Sequence, residues 1–183
     1  DEWIRTQYGN NNAYSTMADN EFNWFRWGEW RAYDFRHRMH DFVRDLITFR
    51  KAHLYAIAPK VYGEGMSLGW KTAQNTEGAD WDGRHLMMHY YEDGQELGEE
   101  IVVLLNFESD DVEFSLPEGR EWLRRVDTQA WFDTGDASGE AGYFADTPGA
   151  DSAASANISL ENEEPVGATY GVAAQSIVVL VGR

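Results

Sequence analysis

A ten-residue stretch near the start of the chain, RTQYGNNNAY (5–14), concentrates side chains that bind hydroxyl groups. Asn10, Asn11 and Asn12 each offer one acceptor and two donors, and Tyr14 adds an aromatic face with a hydroxyl at its tip. Asparagine and glycine form helices and strands weakly, so the stretch predicts a loop. Such a loop either holds itself together through side-chain bonds to its own backbone or holds a ligand rich in hydroxyls.

The bulk composition limits what this loop could bind. The 183 residues carry a net charge of −17, which disfavours nucleic acid and anionic membrane surfaces but permits a neutral, polar ligand. Cysteine is absent, which excludes disulfides, thiolate metal sites and a cysteine nucleophile. The glycine-rich segment 63–69 and the acidic segment 133–140 match neither the dinucleotide nor the calcium-loop pattern. We therefore predict no cofactor and no metal.

The elements that must position the loop follow from hydrophobic periodicity. Residues 31–54 predict one amphipathic helix whose apolar face carries Phe35, Met39, Phe42, Val43, Leu46 and Ile47. Alternating or continuous apolar runs separated by turn residues predict five strands, at 85–91, 101–107, 112–116, 121–128 and 176–181. Several short strands at this spacing predict a mainly β fold, an antiparallel β-sandwich, and 133–157 reads as a long loop.

The sequence DEWIRTQYGNNNAYSTMADNEFNWFRW (1–27) resembles a segment of the alpha-amylase superfamily of glycoside hydrolases, in its isoamylase and glycogen-debranching branch. That branch reads Gly-Asp-Glu, Arg-Thr-Gln, Gly-Asn-Asn-Asn-Ala-Tyr and Asp-Asn in this order. The likeness continues through HDFVRDLITFRKAH, ADWDGRHLMMHYY, VVLLNFESDDVEFSLPEGREWLRRVDT and AAQSIVVLV, and is weakest at 133–165. One departure is STMA before Asp19, where the branch usually has two residues, and it puts the bond specificity in doubt.

The resemblance implies a position for the polar loop. In the family, this loop follows the eighth strand of a (β/α)₈ barrel, and barrel active sites lie on such loops. The substrate-binding residues carried over by the resemblance are Arg5, Asn10, Asn11, Asn12, Tyr14, Asp19 and Asn20. The alternative is that these side chains only tie the loop together, and we expect Trp24 and Trp27 to be core.

The catalytic carboxylates of this superfamily lie on earlier barrel strands, before the segment that Asp1-Glu2 matches. The resemblance therefore implies no catalytic residue in this chain. His40-Asp41 is similar to a family pair only in composition, because it lies in the middle of the predicted helix. The chain begins without methionine, and we expect a processed product or a piece of a longer protein.

The resulting interpretation is a C-terminal portion of a glycosidase that hydrolyses α-1,6 branch linkages in glycogen or a related α-glucan. Residues 1–58 would end the catalytic barrel, with the loop after strand eight and the last helix, and 59–183 would form the C-terminal β-sandwich. The expected partners are an α-glucan of glycogen, starch or limit-dextrin type and the missing barrel, with self-association through the helix face if the barrel is absent. A stand-alone α-glucan-binding module and a purely structural domain are the alternatives, and a bacterial cytoplasm is favoured over secretion.

Overall fold

The computed structural model describes residues 2–10, 19–32, 34–62, 64–92, 98–129, 158 and 165–183. The chain divides into two compact units, one holding the described residues up to Asp45 and the other those from Leu46 onward. Among the described residues, no helix has both the length and the apolar character needed to cross a membrane. The predicted loop at 133–157 lies outside the described residues.

Three helices occupy the region where one was predicted: α1 (Trp27–Ala32), α2 (Asp34–Ala52) and α3 (Leu54–Ile57). The prediction of a single helix over 31–54 is therefore confirmed for α2 and wrong at its ends. At His53 the backbone leaves helical geometry, with φ −113° and ψ 26°, and the short α3 follows. The His53 Nδ1 atom lies 2.6 Å from Glu99 Oε2, so a side-chain contact accompanies this break.

Burial along α2 follows the predicted apolar face only in part. Met39, Phe42 and Leu46 are half-buried, but Ile47 on the same predicted face is 49% exposed, which was not expected. Asp45 is buried instead, and its carboxylate accepts a hydrogen bond of 2.9 Å from Arg44 Nε. A buried carboxylate with a charged donor avoids the cost that an unpaired one would carry. Self-association through this face stays a prediction.

The second unit is an open antiparallel β-sandwich. Its larger sheet has five strands in the order β1-β2-β3-β7-β5, and its smaller sheet pairs β4 with β6. The strands are β1 (Met66–Lys71), β2 (His85–Glu92), β3 (Glu100–Asn106), β4 (Val112–Ser115), β5 (Trp122–Asp127), β6 (Thr169–Val172) and β7 (Ser176–Gly182). The mainly β fold and all five predicted strands are confirmed.

Two strands were missed by the sequence analysis. In β1, the sequence MSLGWK contains a glycine and overlaps the glycine-rich segment 63–69, so its pattern indicates a turn more than a strand. The four-residue β6, TYGV, is short and also contains glycine. Both strands are specified by pairing, since β1 lies in register with β2 and β6 with β4.

The core lies between the two sheets and explains the alternation seen in the sequence. Phe114 and Leu116 of the predicted alternating strand are buried, and Val112 packs against the same cluster. From the larger sheet, the cluster receives Met87, Val102, Leu104, Val178, Leu180 and Trp122. The apolar run in β3 contributes to both faces of its sheet, because Ile101 is also fully buried while pointing away from Val102.

Asn106, at the end of β3, is the buried polar group that joins the two sheets. Its Nδ2 atom lies 2.9 Å from Asp110 O, 3.0 Å from Val172 O and 3.1 Å from Ala173 O, and donates toward all three. Its Oδ1 atom accepts a bond of 2.9 Å from the Glu108 backbone N–H. The side chain is fully buried, so these bonds satisfy it in place of water.

A second polar contact joins the sheets through Tyr170 on β6. The Tyr170 hydroxyl donates a bond of 2.9 Å to Asp127 Oδ2 on β5, and Arg124 Nη1 lies 3.5 Å from the same hydroxyl. Burial raises the pKa of Tyr170 to about 12, and the Asp127 carboxylate adds to the shift. The neutral phenol is thus favoured by the folded state.

We expect Asn106→Asp to lower the free energy of unfolding by about 3 kcal/mol or more, because a carboxylate would face three carbonyl oxygens in a buried site. Urea unfolding at pH 7 measures the effect. The matched control is Gln74→Glu, the same amide-to-acid change at an exposed position, which we expect to stay within about 0.5 kcal/mol. Equal losses in the two variants would contradict the role of Asn106.

The raised pKa of Tyr170 predicts an alkaline loss of stability. Because the folded pKa of about 12 exceeds the ordinary value of about 10, the stabilisation is complete below about pH 10 and is lost as the pH rises toward 12. Tyr170→Phe should make this alkaline decline smaller, and urea midpoints measured from pH 8 upward would report it. Tyr62→Phe, at an exposed tyrosine, should keep the wild-type decline; an unchanged decline in Tyr170→Phe would refute the assignment.

Candidate functional site

Four of the seven predicted site residues lie in the described part of the first unit. Arg5, Asn10, Asp19 and Asn20 are described, whereas Asn11, Asn12 and Tyr14 lie outside the described residues. The described members belong to two segments, 2–10 and 19–24, which meet in space although the sequence separates them. The predicted loop conformation holds for 2–10, where no helix or strand is formed.

Asn23 is the residue on which the two segments converge. Arg5 Nη1 donates a bond of 3.3 Å to the Asn23 carbonyl oxygen, and Gln7 Nε2 lies 3.5 Å from Asn23 Oδ1. Arg5 is nonetheless exposed, so its guanidinium faces solvent as well as the loop. The sequence analysis missed Asn23; its signal was a further amide three residues after Asn20 within the resembling segment.

Asp19 and Asn20 both take part in bonds within their own segment. Asn20 Oδ1 accepts a bond of 3.0 Å from the Phe22 N–H, which closes a turn of the Asx type. Asp19 Oδ1 accepts a bond of 2.6 Å from Trp24 Nε1. These contacts fit the interpretation in which the side chains organise the loop, and they also leave Asp19 exposed at its surface.

The expectation that Trp24 and Trp27 are core residues is wrong. Trp24 is 54% exposed and Trp27 is 65% exposed. The bond to Asp19 fixes the Trp24 indole at the surface. Trp27 packs edge-on against Phe25 at 4.5 Å and Trp3 at 5.6 Å between ring centroids, and leaves much of its own ring in solvent.

Arg36, on α2, anchors the start of the chain and was not predicted as a site residue. Its Nη1 atom donates to the carbonyl oxygens of Trp3 at 2.7 Å and Ile4 at 3.2 Å, and its Nη2 atom lies 2.9 Å from Glu29 Oε2. Only 9% of Arg36 is exposed, so these contacts are largely shielded from water. The sequence pattern that could have indicated this contact is an arginine near the start of α2, seven residues after an acidic residue of α1.

Several of these residues, among them Arg5, Trp24 and Arg36, line a small cleft in the first unit. Its walls combine flat apolar rings with guanidinium and hydroxyl donors, and they are formed by Trp3, Arg5, Thr6, Trp24, Phe25, Arg26, Glu29 and Arg36. Glu29 is the one carboxylate among the described lining residues, and it is paired with Arg26 and Arg36. Glycoside hydrolysis needs two carboxyl groups across the bond. The described lining therefore offers aromatic rings and polar donors but does not supply that pair of carboxyl groups.

His40 and Asp41 are not among the lining residues of this cleft, although the His40 ring contacts one of them. His40 Nδ1 lies 3.4 Å from Asp41 Oδ1, and the same oxygen accepts a bond of 2.8 Å from Arg44 Nη1. The His40 ring also packs edge-on at 6.1 Å from Trp3. These contacts are those of neighbouring side chains on one helix, in agreement with the position predicted for the pair.

The whole chain is similar to a portion of three bacterial isoamylases. It is 30% identical over 191 residues to the isoamylase of Pseudomonas amyloderamosa and, equally, to that of Pseudomonas sp. (strain SMP1), covering 100% of this chain and 22% of each enzyme. It is 28% identical over 200 residues to the isoamylase of Flavobacterium sp., covering 23% of that enzyme. No protein-family model matches the chain. The chain thus spans about a fifth of the length of the curated relatives it matches, and along all of that length it is isoamylase-like.

Proposed function

We propose that the chain is the C-terminal portion of a debranching glycosidase that hydrolyses α-1,6 linkages in glycogen or a related α-glucan. The observation that carries this proposal is the similarity to isoamylases over 100% of the chain, at 30% identity. The order of elements supports it, because a polar loop and a long helix precede an antiparallel sandwich. In this proposal, 1–58 complete the barrel and 59–183 form the accessory sandwich.

We further propose that the cleft of the first unit borders the glucan groove. Glucan hydroxyls need fixed donors and acceptors, and pyranose faces need flat apolar partners. Arg5 offers a guanidinium donor, and Trp24 offers a flat aromatic face. The proposed substrate contacts are Arg5, Asn10, Asn11, Asn12, Tyr14, Asp19 and Asn20. The bonds through Asn23 would hold the first of these in a fixed position before substrate arrives.

The proposed role of this portion is binding and support, with the two reacting carboxylates supplied by the barrel. A retaining mechanism places such carboxylates about 5–5.5 Å apart, one as nucleophile and one as acid and base. The alternatives, a stand-alone glucan-binding module and a purely structural domain, differ in what they require of the gene. Only the debranching proposal requires barrel strands with two catalytic carboxylates in the same protein.

The decisive experiment is to read the gene upstream of Asp1 and to assay the complete protein. We expect an upstream barrel, and release of linear chains and reducing ends from glycogen by the complete protein. The 183-residue chain at equal concentration should release none, because its described cleft lacks the second carboxylate. Reducing ends released by the 183-residue chain alone, or a complete protein without hydrolytic activity, would contradict the proposal.

In the complete protein, we expect Arg5→Ala to lower kcat/KM for glycogen about tenfold, or about 1.4 kcal/mol, through loss of a fixed hydroxyl donor. Steady-state release of reducing ends measures it. Arg50→Ala is the matched control, since it removes an exposed guanidinium near the end of α2, and we expect wild-type kinetics. An Arg5→Ala enzyme with wild-type kcat/KM would show that Arg5 only organises the loop.

A further inference from the structure

Two tryptophans of the second unit form an exposed aromatic pair that the proposed cleft does not use. Trp81 is 71% exposed and Trp70 is 37% exposed, and their ring centroids lie 5.6 Å apart with the planes inclined at 53°. Trp70 lies on β1, opposite Met88 on β2 and therefore on the sheet face away from core residue Met87. Trp81 comes from the loop between these strands. Single exposed apolar residues are common, but two large rings set against each other in solvent call for an explanation.

The loop that carries Trp81 is fixed to the sheet. The Gly78 N–H donates a bond of 2.9 Å to the Trp70 carbonyl oxygen, and the Ser115 N–H donates one of 2.8 Å to the carbonyl oxygen of the buried Ala73. Lys71 Nζ reaches Asn75 Oδ1 at 3.0 Å, which closes the loop from the side. The backbone of this loop is therefore set before any ligand binds, which lowers the conformational entropy that binding must overcome.

The turn around Trp81 is also held by its neighbours. The Asp82 N–H donates a bond of 3.1 Å to Asp80 Oδ1, and the Gly83 N–H donates one of 3.2 Å to the Asp80 carbonyl oxygen. Both Asp80 and Asp82 are exposed, so a carboxylate acceptor precedes Trp81 in the sequence and another follows it. Among the described residues, neither indole N–H of the pair has a hydrogen-bond partner, in contrast to Trp122 Nε1, which donates to Pro117 O at 2.8 Å.

We propose that Trp70 and Trp81 form an α-glucan-binding surface of the sandwich. This inference rests on the proposed function for its choice of sugar. The flat faces can stack on pyranose rings, while the indole N–H groups and flanking carboxylates can bond to hydroxyls. The net charge of −17 disfavours an anionic ligand and is compatible with a neutral polyhydroxylated chain.

The test titrates the 183-residue chain with maltoheptaose in a calorimeter. We expect a dissociation constant of roughly millimolar, and at least tenfold weaker binding for Trp81→Ala. Trp81→Phe, which keeps an aromatic face, should bind within about threefold of wild type. Thermal melting of each variant verifies that it is folded. Trp27→Ala is the matched control, since it removes an exposed tryptophan from the first unit, and it should leave this affinity unchanged.

Several outcomes would overturn the inference. These are wild-type affinity in Trp81→Ala, no binding of maltoheptaose, or equal affinity for cellohexaose. Light scattering that shows a dimer abolished by Trp81→Ala would assign the pair to contact between copies of the chain. None of these outcomes changes the hydrolysis of glycogen by the complete protein, so failure of this site and failure of the proposed function are distinguishable.

Discussion

The sandwich depends on a single amide placed where its two sheets must be joined. Sheet-on-sheet packing buries apolar side chains well, but it leaves the carbonyl oxygens at the end of the small β4-β6 sheet shielded from water. Asn106 bonds to Val172 O and Ala173 O, and through Asp110 O and the Glu108 N–H it also fixes the turn that leads into β4. One side chain therefore bonds both to the end of the small sheet and to the turn after β3. The position of the small sheet and the path of the chain after β3 are set together for that reason.

The half-buried carboxylate of Glu100 in the larger sheet is also paired, through both of its oxygens. His89 Nε2 lies 2.7 Å from Glu100 Oε2, and Arg120 Nε lies 3.0 Å from the other oxygen. Burial works to raise the pKa of Glu100, but the bonds and charges of His89 and Arg120 together hold that pKa below its usual value. Its ionised form is therefore favoured in the fold, and its contribution persists until the pH falls through that lowered pKa. The pairing lets β2 and β3 carry ionisable residues on the face that bears Met87 and Val102.

The sequence predicted the strands whose residue pattern reflects burial, and it missed the strands that form because a neighbouring strand pairs with them. β3 and β7 are continuous apolar runs and β4 alternates, so periodicity identified them; β1 and β6 contain glycine and exist because a neighbour pairs with them. In the first unit, the resemblance named Arg5 and Asn20 as candidate site residues but not Asn23 or Arg36. Asn23 accepts the bond from Arg5 with its backbone carbonyl oxygen, and Arg36 donates to the carbonyl oxygen of Trp3. Backbone acceptors of this kind leave no trace in residue types. The same limit explains Trp24, whose exposure follows from one bond to Asp19.

The exposed tryptophans of the two units are held by different means, and this difference bears on what each can bind. Trp24 uses its N–H on Asp19, so it offers a ligand mainly its face. Trp81 is held through the backbone turn at Asp80 and the bonds that close its loop, and so its N–H stays available together with its face. A sugar presents both an apolar face and hydroxyls, and a ring held only through its backbone can meet both at once. Whether an indole can offer a ligand its N–H as well as its face thus depends on whether the loop already uses that N–H in a hydrogen bond.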